Sequence, residues 1–367
     1  MLLDLSCLSY PLPPDVRRLY EAGDFGRMEL VIRRRLDDPC VPEALKARLR
    51  VQLEMAYEIP RAYPYTQAQM LDILQKNVSG FAEEELETLR DDGTLDWRYV
   101  NGEVRFKNNA LSALLKTRKE YAMRATDPAV MSGAKASTEQ LSAMIAKMKA
   151  NGGVRARFEL HEELTVRSDR LTEGETLRIH LPMPIVGAQV KRAELLSASH
   201  PVAFLAPEDE PQRTIYFELP YEPGMTVSAE IAYEIDAPYA QPHAREVYAE
   251  QPVFDTEELP PHVVFTPYLR ALAKEIVGDE TNALLKARKI YDFITTQAVY
   301  RFMPPYLTVP NIPEYFLSGL RGDCGVQAIT FVTLCRLCGV PAQWQSGLYT
   351  KPNSAGHHDW ARFYVAP

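Results

Sequence analysis

One stretch near the end of the chain, Arg321 to Tyr364, constrains the fold most. A glycine-aspartate pair there precedes Cys324, apolar residues follow at helical spacing, and Gly339 with Pro341 ends the pattern. We therefore expect Cys324 in the first turn of a helix. The unpaired backbone N–H groups and the helix dipole at that position favour a thiolate.

Two strands are predicted after this helix, at Gln343 to Thr350 and at His358 to Val365. The polar residues from Lys351 to Gly356 are expected to form a loop that turns the chain back. His358 would then face Cys324 at about the 3 Å that a general base requires. A thiol and an imidazole in that arrangement are the two groups needed for catalysis by a cysteine nucleophile.

Three short motifs occur in this stretch in a fixed order: Cys324 at a helix start, the turn Gly339-Val340-Pro341-Ala342, and His358-Asp359-Trp360 opening a strand. Together they resemble the transglutaminase-like superfamily, which has a papain-like catalytic fold. The segment from Thr266 to Tyr300 is similar to the helices that precede the family's nucleophile, so the resemblance covers about the last hundred residues. It implies a cysteine-dependent enzyme with Cys324 as nucleophile and His358 as base.

The family orients its histidine with an acid, usually aspartate, on the following strand. No residue after His358 can be assigned that role. Asp359 adjoins the base, but successive strand residues point to opposite faces of a sheet. A sheet of two strands is also marginal by itself. We therefore expect a truncated core, with the orienting acid beyond Pro367 in a longer protein.

Each candidate site residue also has a plainer interpretation. Most free cysteines are small buried hydrophobes, although the glycines and the aspartate around Cys324 favour an exposed turn. His357 is a rival base, and the His-x-Trp register of the family selects His358. Trp360 would share the face of His358 and could bind substrate or shield the site from water, but ordinary core packing explains it equally well.

The reaction implied by the resemblance is acyl transfer on a peptide or protein amide through a thioester, of the protease, amidase or transglutaminase type. The backbone N–H of Cys324 is a candidate oxyanion donor. Hydrolysis and cross-linking both stay open, because they differ only in which nucleophile reaches the thioester. The alternatives are a catalytically inactive protein that acts as a binding or scaffold module, and a dedicated amide-forming biosynthetic enzyme. No cofactor and no metal site are expected.

The rest of the chain predicts a multidomain α+β protein. Residues 1–150 show helical periodicity with one hairpin at Asn101-Gly102 and breaks at Pro39 to Pro42 and at Ile59 to Pro64. The predicted helices are Val16 to Leu36, Val41 to Glu58, Thr66 to Asn77, Phe81 to Asp91, Ala110 to Ala125 and Thr138 to Ala150. Residues 152–237 alternate with period two and predict an immunoglobulin-like antiparallel β-sandwich. A proline-rich linker at 238–265 leads to the transglutaminase-like core at 266–367. Bacterial transglutaminase-like proteins often carry such a β-domain ahead of the core, so this order agrees with the resemblance.

Charge and hydropathy limit the partners. The net charge of −8 does not support nucleic acid binding, for which a basic face is expected. No apolar run approaches the ~18 residues of a membrane helix, and Met1 to Leu8 lacks the basic start of a signal peptide. We expect a cytoplasmic protein with a peptide or protein substrate and no membrane or nucleic acid partner.

The five cysteines argue against a disulfide framework, since they are odd in number and widely spread. Cys335 and Cys338 form a C-x-x-C pair at the end of the predicted helix, where the dipole disfavours a thiolate. A zinc site would need a second pair, which the sequence lacks. We therefore expect these two thiols to serve in helix packing.

Overall fold

The computed structural model describes residues 5–351 and 354–366. The chain divides into two compact units. The first holds the chain up to Ala136, Ala244–Gln343 and the stretch from Ala361 onward, and the second holds Ser137–His243 and Trp344–Trp360. The domain boundaries expected near 150, 237 and 265 stay predictions. The expectations about the two chain ends and the centre of the loop Lys351 to Gly356 concern residues 1–4, 367 and 352–353, which lie outside the described residues.

The N-terminal part of the first unit is mostly helical. Its helices are α1 (Pro14–Glu21), α2 (Phe25–Asp37), α3 (Glu43–Ala62), α4 (Gln67–Asn77), α5 (Glu83–Asp91), α6 (Ala110–Thr117) and α7 (Lys119–Ala122), and α8 (Ala129–Asn151) runs on from them. Three short strands, β1 (Tyr65–Thr66), β2 (Trp97–Val100) and β3 (Glu103–Phe106), form an antiparallel sheet in the order β1-β3-β2. The hairpin predicted at Asn101-Gly102 is confirmed, and both turn residues have positive φ.

Two expected helices of this region are each broken into two. The helix expected over Val16 to Leu36 is wrong, because the chain turns at Gly23, whose φ is +71°. A Cβ at Gly23 would collide with the backbone carbonyl of Tyr99, so the hairpin packs directly on this turn. The helix expected over Ala110 to Ala125 is likewise wrong, because the backbone is extended at Arg118.

Within the second unit, the stretch Ser137–His243 contains six strands: β4 (Gly153–Thr165), β5 (Thr176–Pro182), β6 (Val190–Ala198), β7 (Phe204–Leu205), β8 (Thr214–Pro220) and β9 (Thr226–Pro238). They form two antiparallel three-stranded sheets, ordered β4-β9-β6 and β5-β8-β7. Alternate side chains of both sheets enter one apolar cluster that includes Phe217 and Ile231. The period-two pattern therefore predicted strands correctly, while an immunoglobulin-like sandwich is not confirmed.

The last part of the chain alternates helices with short strands. The helices are α9 (Pro267–Val277), α10 (Ala283–Gln297), α11 (Ile312–Gly319) and α12 (Cys324–Leu337). The strands are β10 (Val299–Tyr300), β11 (Arg321–Gly322), β12 (Ala342–Lys351) and β13 (Ser354–Phe363). β10 pairs with β11 in parallel, and β12 pairs with β13. The four helices share one apolar core around Phe316, Ile290 and Leu334, which fixes where α12 begins.

The connection between β12 and β13 is shorter than expected. β12 ends at Lys351 and β13 begins at Ser354, so the expected loop from Lys351 to Gly356 is wrong at its first residue and over its last three. Gly356 lies against the ring of Tyr349, where a Cβ would come within 2.7 Å of a ring carbon. The absence of a side chain at Gly356 therefore lets the two strands pair closely here. Across the described residues, no helix is both long enough and apolar enough to cross a membrane.

Candidate active site

Cys324 is the first residue of α12, as predicted, and it is half-buried. Asp323 is the N-cap residue: its Oδ1 accepts a hydrogen bond from the Val326 N–H at 3.2 Å, and its backbone carbonyl accepts one from the Gln327 N–H at 3.0 Å. Gly322 is buried just before the cap. A Cβ there would lie 2.7 Å from Val326 Cγ1, so only glycine fits. The sequence Gly-Asp-Cys thus sets the start of this helix through packing and capping.

The cap residue is itself held in place by the chain before it. The Tyr306 hydroxyl donates a hydrogen bond to Asp323 Oδ1 at 2.6 Å, and the Met303 N–H donates to Asp323 Oδ2 at 3.4 Å. Tyr306 opens a short 3-10 turn, Tyr306–Thr308. The Asp323 carboxylate therefore has partners on both oxygens, and its negative charge stands beside Cys324.

A lysine of the N-terminal helical part faces the same region. The Lys116 ammonium lies over the Tyr300 ring, 3.8 Å from the ring centre, and 5.0 Å from the centre of Phe302. Tyr300 pairs with Gly322 across β10 and β11, two residues before Cys324. Burial lowers the pKa of Lys116, and the charges of Cys324 and Asp323 oppose that shift. Lys116 is therefore electrostatically coupled to the candidate nucleophile.

A second, buried network in the first unit connects Lys107, Asp96 and Arg301. Lys107 Nζ donates to the Phe302 carbonyl at 3.3 Å, and burial lowers the pKa of Lys107 against the charges of Asp96 and Asp323. Asp96 pairs with Arg301 and accepts a hydrogen bond from the Tyr63 hydroxyl at 2.9 Å. Charges of both signs are thus matched inside the first unit, which lowers the cost of burying them.

His358 lies in the second unit, on β13, and it is exposed. Its ring meets the Tyr349 ring edge-on at a centre-to-centre distance of 5.9 Å. The Trp360 ring lies 6.3 Å from His358 at 36°, as expected for residues two apart on one strand face. His357 is also exposed, so exposure does not distinguish the two histidines.

Trp360 is only partly packed. Its side chain is 38% exposed, its Nε1–H donates to Gln345 Oε1 at 2.8 Å, and a Cβ at Gly347 would lie 3.2 Å from its ring. Glycine on the facing strand therefore leaves room for the indole. Core packing was the plainer interpretation of this tryptophan, and the exposure of the indole favours a surface role beside His358.

The C-x-x-C pair, Cys335 and Cys338, lies at the end of α12 and packs against the apolar core. Cys335 is fully buried in the apolar core and burial raises the pKa of its thiol, while burial likewise raises the pKa of Cys338. This agrees with the expected packing role. Within residues 5–351 and 354–366, no three His, Cys, Asp or Glu side chains are grouped so that they could hold a metal ion.

The predicted site residues fall in separate units: Cys324 in the first, His358 and Trp360 in the second. Their assembly into one site stays a prediction. Sequence reasoning missed Tyr306 and Lys116 as neighbours of the nucleophile's helix. An aspartate directly before a helical pattern is a capping signal that could have found Asp323, but no local signal points to its partner Tyr306, because that contact depends on the path of the chain between β10 and α11.

Three comparisons with known proteins were informative to different degrees. A search of curated proteins found no match. Among solved structures, a candidate cysteine protease from Cytophaga hutchinsonii is similar at 17% identity and a TM-score of 0.38, over 58% of this chain and 75% of that chain. The periplasmic domain of TgpA from Pseudomonas aeruginosa is similar at 15% identity and a TM-score of 0.29, over 60% of this chain and 86% of that chain.

At these TM-scores the structural likeness is too loose to assign a fold or an activity. A family model also matches the sequence of this chain, over most of α9, the helices α10 to α12 and the strands after them. It confirms the expected resemblance and supports a cysteine-dependent function in general terms. Residues 270–367 match the transglutaminase-like superfamily, so the chain carries a transglutaminase-like domain over that range.

Proposed function

We propose that this protein catalyses acyl transfer on a peptide or protein amide, with Cys324 as nucleophile and His358 as general base. The observation that carries the proposal is the position of Cys324 as the first residue of a capped helix inside the transglutaminase-like domain. A thiol at a helix start is favoured as thiolate by the dipole and by unpaired N–H groups. A half-buried thiol is also accessible to substrate, unlike Cys335 in the core.

In the proposed reaction the imidazole of His358 accepts the proton of the Cys324 thiol, and the thiolate attacks the carbonyl carbon of the amide. The C–N bond then breaks, and the leaving amine or ammonia takes the proton from the imidazolium. The acyl group stays on sulfur as a thioester. Water or a second amine attacks the thioester, passes its proton to His358 and releases the acyl product with the free thiol.

Two further groups have proposed roles. The backbone N–H of Cys324 is a candidate donor to the oxyanion, since it belongs to the first turn of α12. Trp360 offers an exposed apolar surface beside His358 that suits the flank of an extended peptide. An exposed indole next to the base would also exclude water from one side of the site.

The test compares Cys324→Ala with Cys40→Ala, since Cys40 is an exposed free cysteine far along the chain from this helix. Three readouts are measured on the same preparations: ammonia release from glutamine-containing peptides, incorporation of a fluorescent primary amine into casein, and cleavage of casein. We expect Cys324→Ala to abolish the activity that the wild type shows and Cys40→Ala to retain it. Equal activity of the wild type and Cys324→Ala in every assay would overturn the proposal.

We also propose an immunoglobulin-like sandwich, a cytoplasmic location and a peptide or protein substrate for this protein. An immunoglobulin-like sandwich fold for residues 152–237 is supported by their two antiparallel sheets and the common core of these sheets. The cytoplasmic location rests on the sequence, namely the short apolar runs and the absence of a basic start in Met1 to Leu8, and the peptide or protein substrate rests on the family resemblance. Fractionation of cells that produce the tagged protein, with a periplasmic and a cytoplasmic marker protein, would decide the location.

A further inference from the structure

A cavity of about 180 Å³ lies within the first unit, between α6 and the β10–β11 strand pair. Ala113 and Thr117 line it from the last two turns of α6, and Tyr300 lines it from β10. Three arginines complete its wall: Arg118, Arg301 and Arg321. They come from three separate places in the chain, so the fold has brought three arginine residues around one small space.

The three arginines are not equally satisfied. The Nη2 group of Arg321 donates to the Asp92 carbonyl oxygen at 2.8 Å, and in the part of the chain that the structure describes no carboxylate forms an ion pair with it. Arg301 pairs with Asp96 through one terminal nitrogen, but its Nε is buried and has no hydrogen-bond partner among the described residues. Because the Nε of Arg301 is closed to solvent, the donor capacity left at the cavity lies mainly on Arg321, whose guanidinium forms no ion pair among the described residues.

Three carboxylates pair with two of these arginines and raise the alternative of a purely structural ion-pair network. Arg118 contacts Asp92 at 2.8 Å and Glu120 at 2.6 Å, and Asp96 pairs with Arg301. None of these acids lines the cavity. Asp92 also accepts from the Thr94 N–H at 2.7 Å, and Asp96 from Tyr63, so their oxygens are directed to other donors. The cavity lining therefore holds three arginines and no acid, and Arg321 is the one of the three that no described carboxylate neutralises.

We propose that this cavity binds a phosphate group. Guanidinium groups match phosphate and carboxylate oxygens with paired hydrogen bonds. Three of them around one space suit a tetrahedral anion with several oxygens better than a carboxylate with two. The ligand is either free phosphate or the phosphate of a small monoester. The proposal does not depend on the role of Cys324.

The experiment is isothermal titration of the full chain with inorganic phosphate at constant ionic strength, with glycerol phosphate and acetate as parallel titrants. We expect saturable binding of inorganic phosphate or of glycerol phosphate, and the tighter of the two identifies the source. Arg321→Gln should weaken this binding at least about tenfold, because it removes a charged donor and leaves the other two arginines in place. Acetate should bind at least about tenfold more weakly than phosphate.

Two further variants guard against misfolding and general charge effects. Ala113→Leu fills part of the cavity and leaves every charge in place, so it should block binding without altering the ion pairs. Arg288→Gln is the charge control, because it removes an exposed arginine that pairs with Asp292 on α10. This variant should bind phosphate as tightly as the wild type does. The proposal is overturned if no titrant gives saturable heat, if acetate binds as tightly as phosphate, or if Arg288→Gln weakens binding as much as Arg321→Gln.

Discussion

Tyr306 and Asp323 are joined by a 2.6 Å hydrogen bond from the phenolic hydroxyl to the carboxylate that caps α12. This bond ties the start of the candidate nucleophile's helix to the 3-10 turn Tyr306–Thr308. The turn is held in addition from the N-terminal helices, because the Tyr20 hydroxyl donates to the Thr308 carbonyl oxygen at 3.1 Å. The helical part of the chain therefore helps to position Cys324, even though it lies outside the transglutaminase-like domain.

Tyr306→Phe should lower both stability and the reactivity of Cys324. The variant removes one hydrogen bond to a carboxylate and keeps the ring, so we expect the free energy of unfolding to fall by about 1 to 2 kcal/mol. Denaturant unfolding and the rate of Cys324 alkylation check this together. The matched control is Tyr291→Phe, an exposed tyrosine on α10, which should change neither quantity. Unchanged stability in Tyr306→Phe would show that the cap does not depend on this bond.

Lys116→Met should slow alkylation of Cys324. The variant keeps an apolar stem over Tyr300 and removes the positive charge that is coupled to the thiol, so the thiolate loses a favourable neighbour. We expect a rate about threefold to tenfold lower near pH 7 and a pH–rate profile moved to higher pH.

Lys116→Arg keeps the charge and should restore most of this rate. Lys119→Met removes an exposed lysine close by in sequence and should leave the rate unchanged. If Cys324 is alkylated at the wild-type rate in both Lys116→Met and Lys119→Met, Lys116 has no effect on the reactivity of the Cys324 thiol.

Glu162 should make the stability of the second unit fall as the pH rises. It lies on β4, only 9% exposed, and neither carboxylate oxygen has a hydrogen-bond partner among the described residues. Burial raises the pKa of Glu162 from 4.5 to about 7, so the folded state binds more protons than the unfolded state between these values. The contribution of Glu162 to stability is therefore most favourable at or below about pH 4.5 and declines until the pH exceeds about 7.

Glu162→Gln should remove this decline and stabilise the protein at pH 8 by about 2 to 3 kcal/mol. Thermal unfolding from pH 4.5 to 8, on the wild type and the variant, measures the effect. Glu173→Gln is the control, because Glu173 is exposed in a turn of the same unit. Parallel pH dependence in the wild type and Glu162→Gln would show that Glu162 is not the group responsible.

Local signals in the sequence predicted the main elements well. The helix at Cys324, the stop at Gly339 and the Asn101-Gly102 hairpin each depend on neighbouring residues, and each is present. The break at Gly23 was missed because its cause is the approach of Tyr99, which only the folded chain brings near. Likewise α3 continues through Pro60, where the sequence predicted a break, since tertiary packing of Ile59 and Ala62 outweighs the lost hydrogen bond.

The candidate site was predictable only in part for the same reason. A cysteine before a helical pattern and the His-x-Trp sequence are local features, and they identified Cys324, His358 and Trp360. Lys116 carries no local signal, because its nearness to Cys324 arises from the packing of α6 on β10. The arginines of the cavity are distant in sequence and were equally invisible.

The most direct test of a Cys324–His358 pair compares the alkylation rate of Cys324 with that of Cys40 in the same molecule, by mass spectrometry of labelled peptides near pH 6.5. We expect Cys324 to react at least about tenfold faster than the exposed Cys40. His358→Ala should lower the rate of Cys324 to that of Cys40, while His357→Ala should not. A Cys324 that reacts no faster than Cys40, or whose rate is unaffected by His358→Ala, would show that the two residues do not form a catalytic pair.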